Sequence, residues 1–299
     1  MKIVSKLKKA GIKSAETDAK VLLEFVTGKS REFLLANPKF GLSDNEIKKL
    51  GNLVARRKKH EPIAYITGHK EFFGLDFCVD RNVLIPRPET ETLVELAIDF
   101  IKSKQKKYHT EFASNSKSTE MAKQPRHNKL KILDIGTGSG NIIISIAKKY
   151  RFVPIGSNRY FFASDISKSA LEVARINAKK HGVGKSIKFI QSDLLNNISG
   201  KFDLIVANLP YVPIGGSDNN EIKFEPHKAI FADNNGEKLI EKLLANIKKH
   251  LNNSGEILLE VDSRNTKNLT TYATKFFSST EIIKDYSSKD RFIKIGDKL

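Results

Sequence analysis

Tryptophan is absent from this 299-residue chain, methionine occurs twice, and cysteine occurs once, at Cys78. A lone thiol excludes an internal disulfide framework and any Cys-x-x-Cys metal site. The histidines His60, His69, His181, His227 and His250 stand at spacings that make no ligand set, so no metal is expected. No run of 18 or more apolar residues occurs, which excludes an ordinary membrane-spanning helix. The opening Met1-Lys2-Ile3-Val4-Ser5-Lys6 is broken by lysines and lacks the apolar centre of a secretory leader. These absences lead to an expected cytoplasmic location and no membrane partner. What is present, 39% hydrophobic and 29% charged residues, suits a chain that buries a core and excludes wholesale disorder.

Acidic residues are in short supply: 34 Asp and Glu face 52 Lys and Arg, a formal charge of +18. The excess is lysine, with 41 Lys against 11 Arg. Arginine, whose planar fork suits phosphate and base edges, is the residue that specific nucleic-acid recognition favours. Lysine pairs such as Lys48-Lys49, Lys148-Lys149, Lys179-Lys180 and Lys248-Lys249 fall at the solvent ends of apolar helical patterns. They read mainly as a helix-surface coat. The same surface allows weak contact with nucleic acid or the ribosome.

The pattern divides the chain into three parts. Residues 1–67 read as a small helical domain, with a cap at Ser14-Ala15-Glu16-Thr17, a stop at Gly28 and a capping box at Ser43-Asp44-Asn45-Glu46. Residues 68–88 read as a β-hairpin linker, with Gly68, Gly74, aromatic Phe72, Phe73 and Phe77, and the punctuation Pro86-Arg87-Pro88. Residues 89–299 alternate short apolar strands with amphipathic helices, which implies right-handed βαβ units in an α/β, Rossmann-like fold. That sheet is expected to be doubly wound and mainly parallel. No long helix is expected between the last strands, so the sheet should end antiparallel. Within this part, residues 102–129 carry eight Lys or Arg against two Glu and little apolar content, which predicts a mobile basic loop.

The first chemical signal is Asp134-Ile135-Gly136-Thr137-Gly138-Ser139-Gly140-Asn141, between a strand and a helix. Glycines at alternate positions let backbone turn tightly and approach a ligand without Cβ collisions. The place is the carboxyl end of a strand, where open α/β sheets bind ligands. Asn141 stands where a dinucleotide fingerprint needs its third glycine, so a pyrophosphate site is not indicated. Asp165 ends the next strand and is suited to accept hydrogen bonds from two ribose hydroxyls. Gly136, Thr137, Gly138, Ser139, Gly140 and Asp165 therefore predict an adenosine cofactor without pyrophosphate, S-adenosylmethionine.

The second signal is Asn208-Leu209-Pro210-Tyr211, directly after the strand Phe202 to Ala207. The Asn208 side-chain oxygen and the Leu209 carbonyl are suited to accept both hydrogens of a planar NH2 group, with Tyr211 stacked on its plane. An amide nitrogen is a poor nucleophile because its lone pair is delocalised. Two acceptors on its hydrogens would aim that lone pair at a methyl donor and favour in-line transfer.

These residues resemble the release-factor glutamine methyltransferases of the HemK or PrmC type. The likeness runs along nearly the whole chain. The segment Asp18-Ala19 to Pro38 is similar to that family's helical substrate-recognition domain. Pro62-Ile63-Ala64-Tyr65-Ile66-Thr67-Gly68 and Leu84-Ile85-Pro86-Arg87-Pro88-Glu89-Thr90-Glu91 are close to its linker signatures, and Phe224-Glu225-Pro226 also resembles it. The resemblance implies a class I methyltransferase domain that uses S-adenosylmethionine. Its implied partner is a peptide chain release factor, methylated at the side-chain nitrogen of the Gly-Gly-Gln glutamine. It further implies that Gly136 to Gly140, Asp165, Leu194 and Asn208 hold the cofactor, with Leu194 beside the adenine. Asn208, Leu209, Pro210 and Tyr211 would hold the glutamine, and Asn208, Pro210 and Tyr211 would act in catalysis.

The chain departs from the family pattern twice. Leu209 stands where the tetrad usually has Pro, although the following Pro210 still biases its backbone to the extended region. Leu194 stands where relatives often carry an aromatic residue. Asn-Leu-Pro-Tyr is also the form found in ribosomal RNA adenine dimethyltransferases, which keeps an adenine amino-group methyltransferase acting on RNA or DNA as an alternative. A ribosomal-protein glutamine methyltransferase and a non-catalytic RNA- or ribosome-binding module are the others. Arg87 and Glu89 are expected either to shape the cofactor entrance or to cap the helix after Pro88.

Overall fold

The computed structural model describes residues 2–115, 130–150, 161–213, 220–232 and 236–297. It opens with five helices, α1 (Lys2–Lys9), α2 (Ala15–Thr27), α3 (Arg31–Ala36), α4 (Asp44–Lys58) and α5 (Ile63–Thr67). Their apolar faces make a core of their own from Leu7, Ala19, Leu22, Leu50, Leu53 and Ile66. The capping box at Ser43 and Glu46 forms in both directions, and Gly28 closes α2 in the left-handed region at φ +64°. Ser14 behaves differently from a simple cap: its hydroxyl donates to Asp18 Oδ2 at 2.8 Å instead of accepting from the helix backbone. The reason is Arg57, buried at 2% exposure, whose Nε donates to the same carboxylate at 2.6 Å.

A hairpin follows, β1 (His69–Phe72) antiparallel to β2 (Leu75–Cys78). Its two-residue turn, Phe73-Gly74, has positive φ at both positions, as the right-handed twist of paired strands demands. Glu91 Oε1 accepts the Phe73 N–H at 2.8 Å and steadies the strained residue.

The remainder alternates as expected: α6 (Glu91–Asn115), β3 (Ile132–Ile135), α7 (Asn141–Lys149), β4 (Phe161–Asp165), α8 (Lys168–Lys180), β5 (Ile187–Gln191) and β6 (Phe202–Asn208). Then come β7 (Val212–Pro213), α9 (His227–Ile230), β8 (Phe231–Ala232), α10 (Lys238–Ile247), β9 (Leu251–Glu260), α11 (Thr266–Ala273), β10 (Ser279–Lys284) and β11 (Asp290–Gly296). One seven-stranded sheet has the order β10-β11-β9-β6-β3-β4-β5, with β11 antiparallel to both neighbours and the other pairs parallel. Strand β3, flanked by β6 and β4 inside the sheet, is buried throughout. Leu93, Ile142 and Ile143 pack in one of the sheet's two apolar clusters, and Leu243, Leu244 and Leu269 in the other.

One expectation needs correction. The stretch from Lys102, expected as loop, continues α6 to Asn115, while residues 116–129 lie outside the described residues. No Gly or Pro occurs between Pro88 and Pro125, so nothing stops the helix where its apolar content fades. Lys104 adds an anchor by donating to the Ser254 carbonyl at 2.6 Å. Between β9 and β10 stands only the eight-residue α11, in keeping with the expected absence of a long helix there, and the antiparallel sheet end is present as expected.

Candidate active site

Strand order reverses between β3 and β6: the chain runs from β3 outward to β4 and β5, then returns to the other side of β3. A crevice at the carboxyl ends of such strands is where doubly wound sheets place ligands. The glycine loop follows β3, and the Asn208 tetrad begins at the end of β6, so two sequence signals 70 residues apart share this switch point.

The glycine loop needs its glycines. Gly136, Gly138 and Gly140 have φ of +73°, +53° and +81°. The Gly136 and Thr137 N–H groups both donate to the Ser164 carbonyl, at 2.8 and 2.9 Å, which folds the loop back over β4. A Cβ at Gly136 would lie 2.9 Å from Leu209 Cδ2, and one at Gly140 would lie 2.7 Å from Ile144 Cδ1. A Cβ at Gly138 would meet nothing within 4 Å, so the loop is packed at its ends and open at its middle. Thr137 and Ser139 are buried, the Thr137 hydroxyl donating to Asp134 Oδ2 at 2.7 Å and the Ser139 hydroxyl to Asn141 Oδ1 at 3.1 Å. Asp134 itself is fully buried, and burial pushes its carboxyl up to about 7, against the Thr137 hydrogen bond.

Asp165 is beside the loop. Its Oδ2 accepts the Gly138 N–H and its Oδ1 the Ser167 N–H, both at 2.9 Å. Burial raises its pKa, and these backbone donors oppose the rise. A carboxylate has about four acceptor sites, so two backbone bonds leave room for further donors. Leu194 adopts φ +47°, rare for a non-glycine residue, and is buried in the cluster that holds Ile135 and Leu209. Its bend is held by the Ser192 hydroxyl, which donates to the Leu194 carbonyl at 2.9 Å. Leu194 also borders a cavity of about 300 Å³ with Ile198, Lys242, Asn246 and Lys249, a space lined by no residue of the glycine loop or the tetrad.

In the tetrad, Asn208 Nδ2 donates to Thr90 Oγ1 at 3.0 Å. Leu209 turns inward, 5% exposed, onto Gly136. The departure from Pro at this position thus carries a core contact of its own. Pro210 is half-buried, and Tyr211 is tied at its hydroxyl, which donates to Glu260 Oε1 at 3.2 Å. Burial raises the Tyr211 pKa, and the Glu260 carboxylate adds to the rise. Arg87 stands at the N-cap of the short 3-10 turn Pro88–Thr90 but makes no side-chain capping bond; its guanidinium donates to Glu225 Oε1 at 2.6 Å, while Glu225 Oε2 accepts the Ile85 N–H at 3.0 Å. That pair ties the segment before Pro88 to the segment after the tetrad. Glu89 is exposed.

Residues 1–68 match the PrmC N-terminal domain and residues 126–292 match a methyltransferase domain. The release factor glutamine methyltransferase of Buchnera aphidicola subsp. Acyrthosiphon pisum is 36% identical over 289 residues, covering 94% of this chain and 91% of the relative. The chain belongs to the release factor glutamine methyltransferase family. The Haemophilus influenzae member of that family is 33% identical over 291 residues, covering 95% and 92% of the two chains. A bifunctional methyltransferase of Rickettsia bellii is 36% identical over 300 residues, 97% of this chain but 53% of that protein. The chain thus spans about half the length of the rickettsial relatives it matches. The hMettl16 catalytic domain superposes with a TM-score of 0.53 at 14% identity, over 85% of this chain and 81% of that one, a likeness of fold. The fold is that of a class I methyltransferase, Rossmann-like, with an antiparallel sheet end.

Three site residues of this family member escaped the sequence reading. Asn177, on α8 and fully buried, donates from Nδ2 to the carbonyls of Ser139 and Cys78, both at 2.9 Å, and accepts the Cys78 N–H at 2.7 Å. One amide therefore fastens the hairpin to the glycine loop. Cys78 contributes its backbone N–H and carbonyl to this junction. Thr90 stands in sequence only as part of the Leu84 to Glu91 signature, and nothing in the sequence singles out Glu260. No local pattern marks any of the three, because each acts across 38 residues or more.

Proposed function

We propose that this chain transfers a methyl group from S-adenosylmethionine to the side-chain amide nitrogen of the Gly-Gly-Gln glutamine of a peptide chain release factor. The observation that carries the reading is the committed amide of Asn208. Its Nδ2–H is spent on Thr90, so Oδ1 is the end left to accept from an incoming NH2 group. The Leu209 carbonyl is the proposed second acceptor. Together they would orient the substrate amide and favour the rotamer in which its nitrogen lone pair points along the transfer line. Tyr211, fixed at its hydroxyl by Glu260, would offer its ring to the amide plane. Pro210 would hold the turn that brings these groups together.

The loop fits an adenosine cofactor: the open side of Gly138 admits a ligand, and Asp165 retains acceptor capacity for ribose hydroxyls. S-adenosylmethionine, when bound, supplies an electrophilic sulfonium methyl. Gly136 to Gly140, Asp165, Leu194 and Asn208 are the residues proposed to hold it. The unit boundaries proposed are 1–67 for substrate recognition, 68–88 for the linker and 89–299 for catalysis, and the separate apolar core of the N-terminal helices supports the first. The formal charge of +18 supports weak nucleic-acid or ribosome contact in addition. No helix among the described residues is long and apolar enough to cross a membrane.

Fragment mass spectrometry of a release factor incubated with the protein and S-adenosylmethionine tests the assignment. The expected result is one added methyl on the Gly-Gly-Gln glutamine, absent with Asn208→Ala. An unmodified glutamine under conditions where the cofactor binds would refute it.

A further inference from the structure

Glu260 ends β9 as the register partner of Asn208 on parallel β6. Its side chain is 1% exposed; Oε1 accepts from Tyr211, and Oε2 is buried without a hydrogen-bond partner. Thr90, 2% exposed, carries a hydroxyl that favours the ionised form of the same carboxyl, and its Oγ1 accepts the Asn208 Nδ2–H. That bond uses an oxygen lone pair and leaves the hydroxyl proton of Thr90 to go elsewhere. We infer that Glu260 is a positioning residue that acts through the Thr90 hydroxyl to fix which end of the Asn208 amide faces the substrate. The inference rests on the proposed role of Asn208 as acceptor for an NH2 group.

The argument is one of hydrogen-bond polarity. An ionised carboxylate only accepts, so it draws the Thr90 proton toward itself. Thr90 is then left as an acceptor on its other side, and only the NH2 end of Asn208 satisfies it. Oδ1 must therefore face the crevice. If Glu260 is neutral or replaced by glutamine, the demand on the Thr90 proton is lifted. Thr90 is then able to donate to Asn208 Oδ1, and the amide turns over. An NH2 group would meet the NH2 group of the substrate, donor against donor. Asn and Gln amides are nearly symmetric in shape, so sterics alone do not prevent this flip, and a relay of fixed polarity does.

The groups that face Glu260 set its titration. Burial pushes the carboxyl up to about 7; Thr90, Arg291 on β11 and Tyr211 oppose that rise, and the Glu89 carboxylate adds to it. Arg291 is itself held by Asp285, its Nε donating at 2.9 Å. The relay is therefore set at high pH and released as pH falls through about 7.

The test uses the ligand-free protein first, so that it does not depend on the methyl acceptor. In ¹³C,¹⁵N-labelled protein, the Asn208 side-chain NH2 resonances should move with the same midpoint as the Glu260 carboxyl carbon. In Glu260→Gln that movement should vanish. In steady-state assays on a release factor, Glu260→Gln should lower kcat roughly 10- to 100-fold, change KM for S-adenosylmethionine far less than kcat and abolish the acidic limb of the pH profile. Thr90→Val should reproduce the loss, and Thr90→Ser should restore activity. Asn208 resonances indifferent to the Glu260 titration, or a Glu260→Gln enzyme with wild-type kcat and acidic limb, would overturn the relay. If Asn208 follows Glu260 while no methyl reaches a release factor, the relay stands and the proposed function falls.

Discussion

Alanine at Gly136 should cost far more stability than alanine at Gly138, although both glycines sit in the left-handed region. The backbone term is shared: an L-residue there loses about 1–2 kcal/mol, offset by a few tenths to about 1 kcal/mol from the less flexible unfolded chain. At Gly138 little else happens, because a Cβ meets nothing within 4 Å. At Gly136 the Cβ would lie 2.9 Å from Leu209 Cδ2, a branched side chain that is 5% exposed and has little room to retreat. Overpacking of this kind adds about 1–3 kcal/mol. The expected losses are therefore about 1 kcal/mol for Gly138→Ala and about 2–4 kcal/mol for Gly136→Ala. Equilibrium urea unfolding followed by circular dichroism measures both. A double-mutant cycle with Leu209→Ala isolates the steric part, which should appear as a favourable coupling of about 1–2 kcal/mol. Cofactor binding should divide the opposite way: Gly138→Ala keeps most of its stability yet places a methyl on the open side of the loop, so affinity for S-adenosylmethionine drops. Equal destabilisation by the two alanines, or no coupling to Leu209, would refute the claim that the loop is packed at its ends and open at its middle.

Other expectations follow from single contacts. Asn208→Ala should lower kcat about 10²- to 10³-fold, the scale of losing one preorganised polar partner, while calorimetry shows S-adenosylmethionine bound more weakly but by a far smaller factor. Arg57→Ala strands the buried Asp18 carboxylate and should destabilise the protein by about 3–5 kcal/mol in urea unfolding; Arg57→Lys should recover only part of that. Asn177→Leu removes two hydrogen bonds to the hairpin and one to the glycine loop, and limited proteolysis should then cut near residues 68–79 faster than in the parent. Asp134 gives a pH test. Its folded-state pKa of about 7 lies above the unfolded value of 3.8, so the unfolded chain ionises first and the group withdraws stability as pH rises between these values. Asp134→Asn should gain stability relative to the parent from pH 4 to pH 8, by on the order of 4 kcal/mol; a pH-independent difference would contradict the burial of an ionisable Asp134.

Much of this molecule is legible in short windows of sequence. The glycine loop is, because three alternate glycines answer a local steric demand, and all three take positive φ. Asp165 and Asn208 are legible because each ends an apolar strand, and ligand crevices form at strand ends. The capping box of α4 is a four-residue signal and forms as read. What escapes is what depends on distant partners. Asn177 reads as one more polar residue on an amphipathic helix, and two of its three bonds exist only because the hairpin arrives 99 residues away. Glu260 reads as the acidic end of a strand, yet it stands inside the protein against Tyr211. The polar half of α6 was read as loop because composition was weighed over the absence of a breaker. Arg87 left two roles open in sequence; its side chain makes no capping bond to the helix and pairs instead with Glu225, more than a hundred residues on.

The most direct measurement of the central claim is methyl transfer from labelled S-adenosylmethionine with three acceptors in parallel: a release factor, its Gln→Ala variant in the Gly-Gly-Gln motif, and ribosomal RNA. The account expects label on the intact release factor alone, and its loss with Asn208→Ala. Label on the RNA, or on the Gln→Ala factor as strongly as on the intact one, would contradict it.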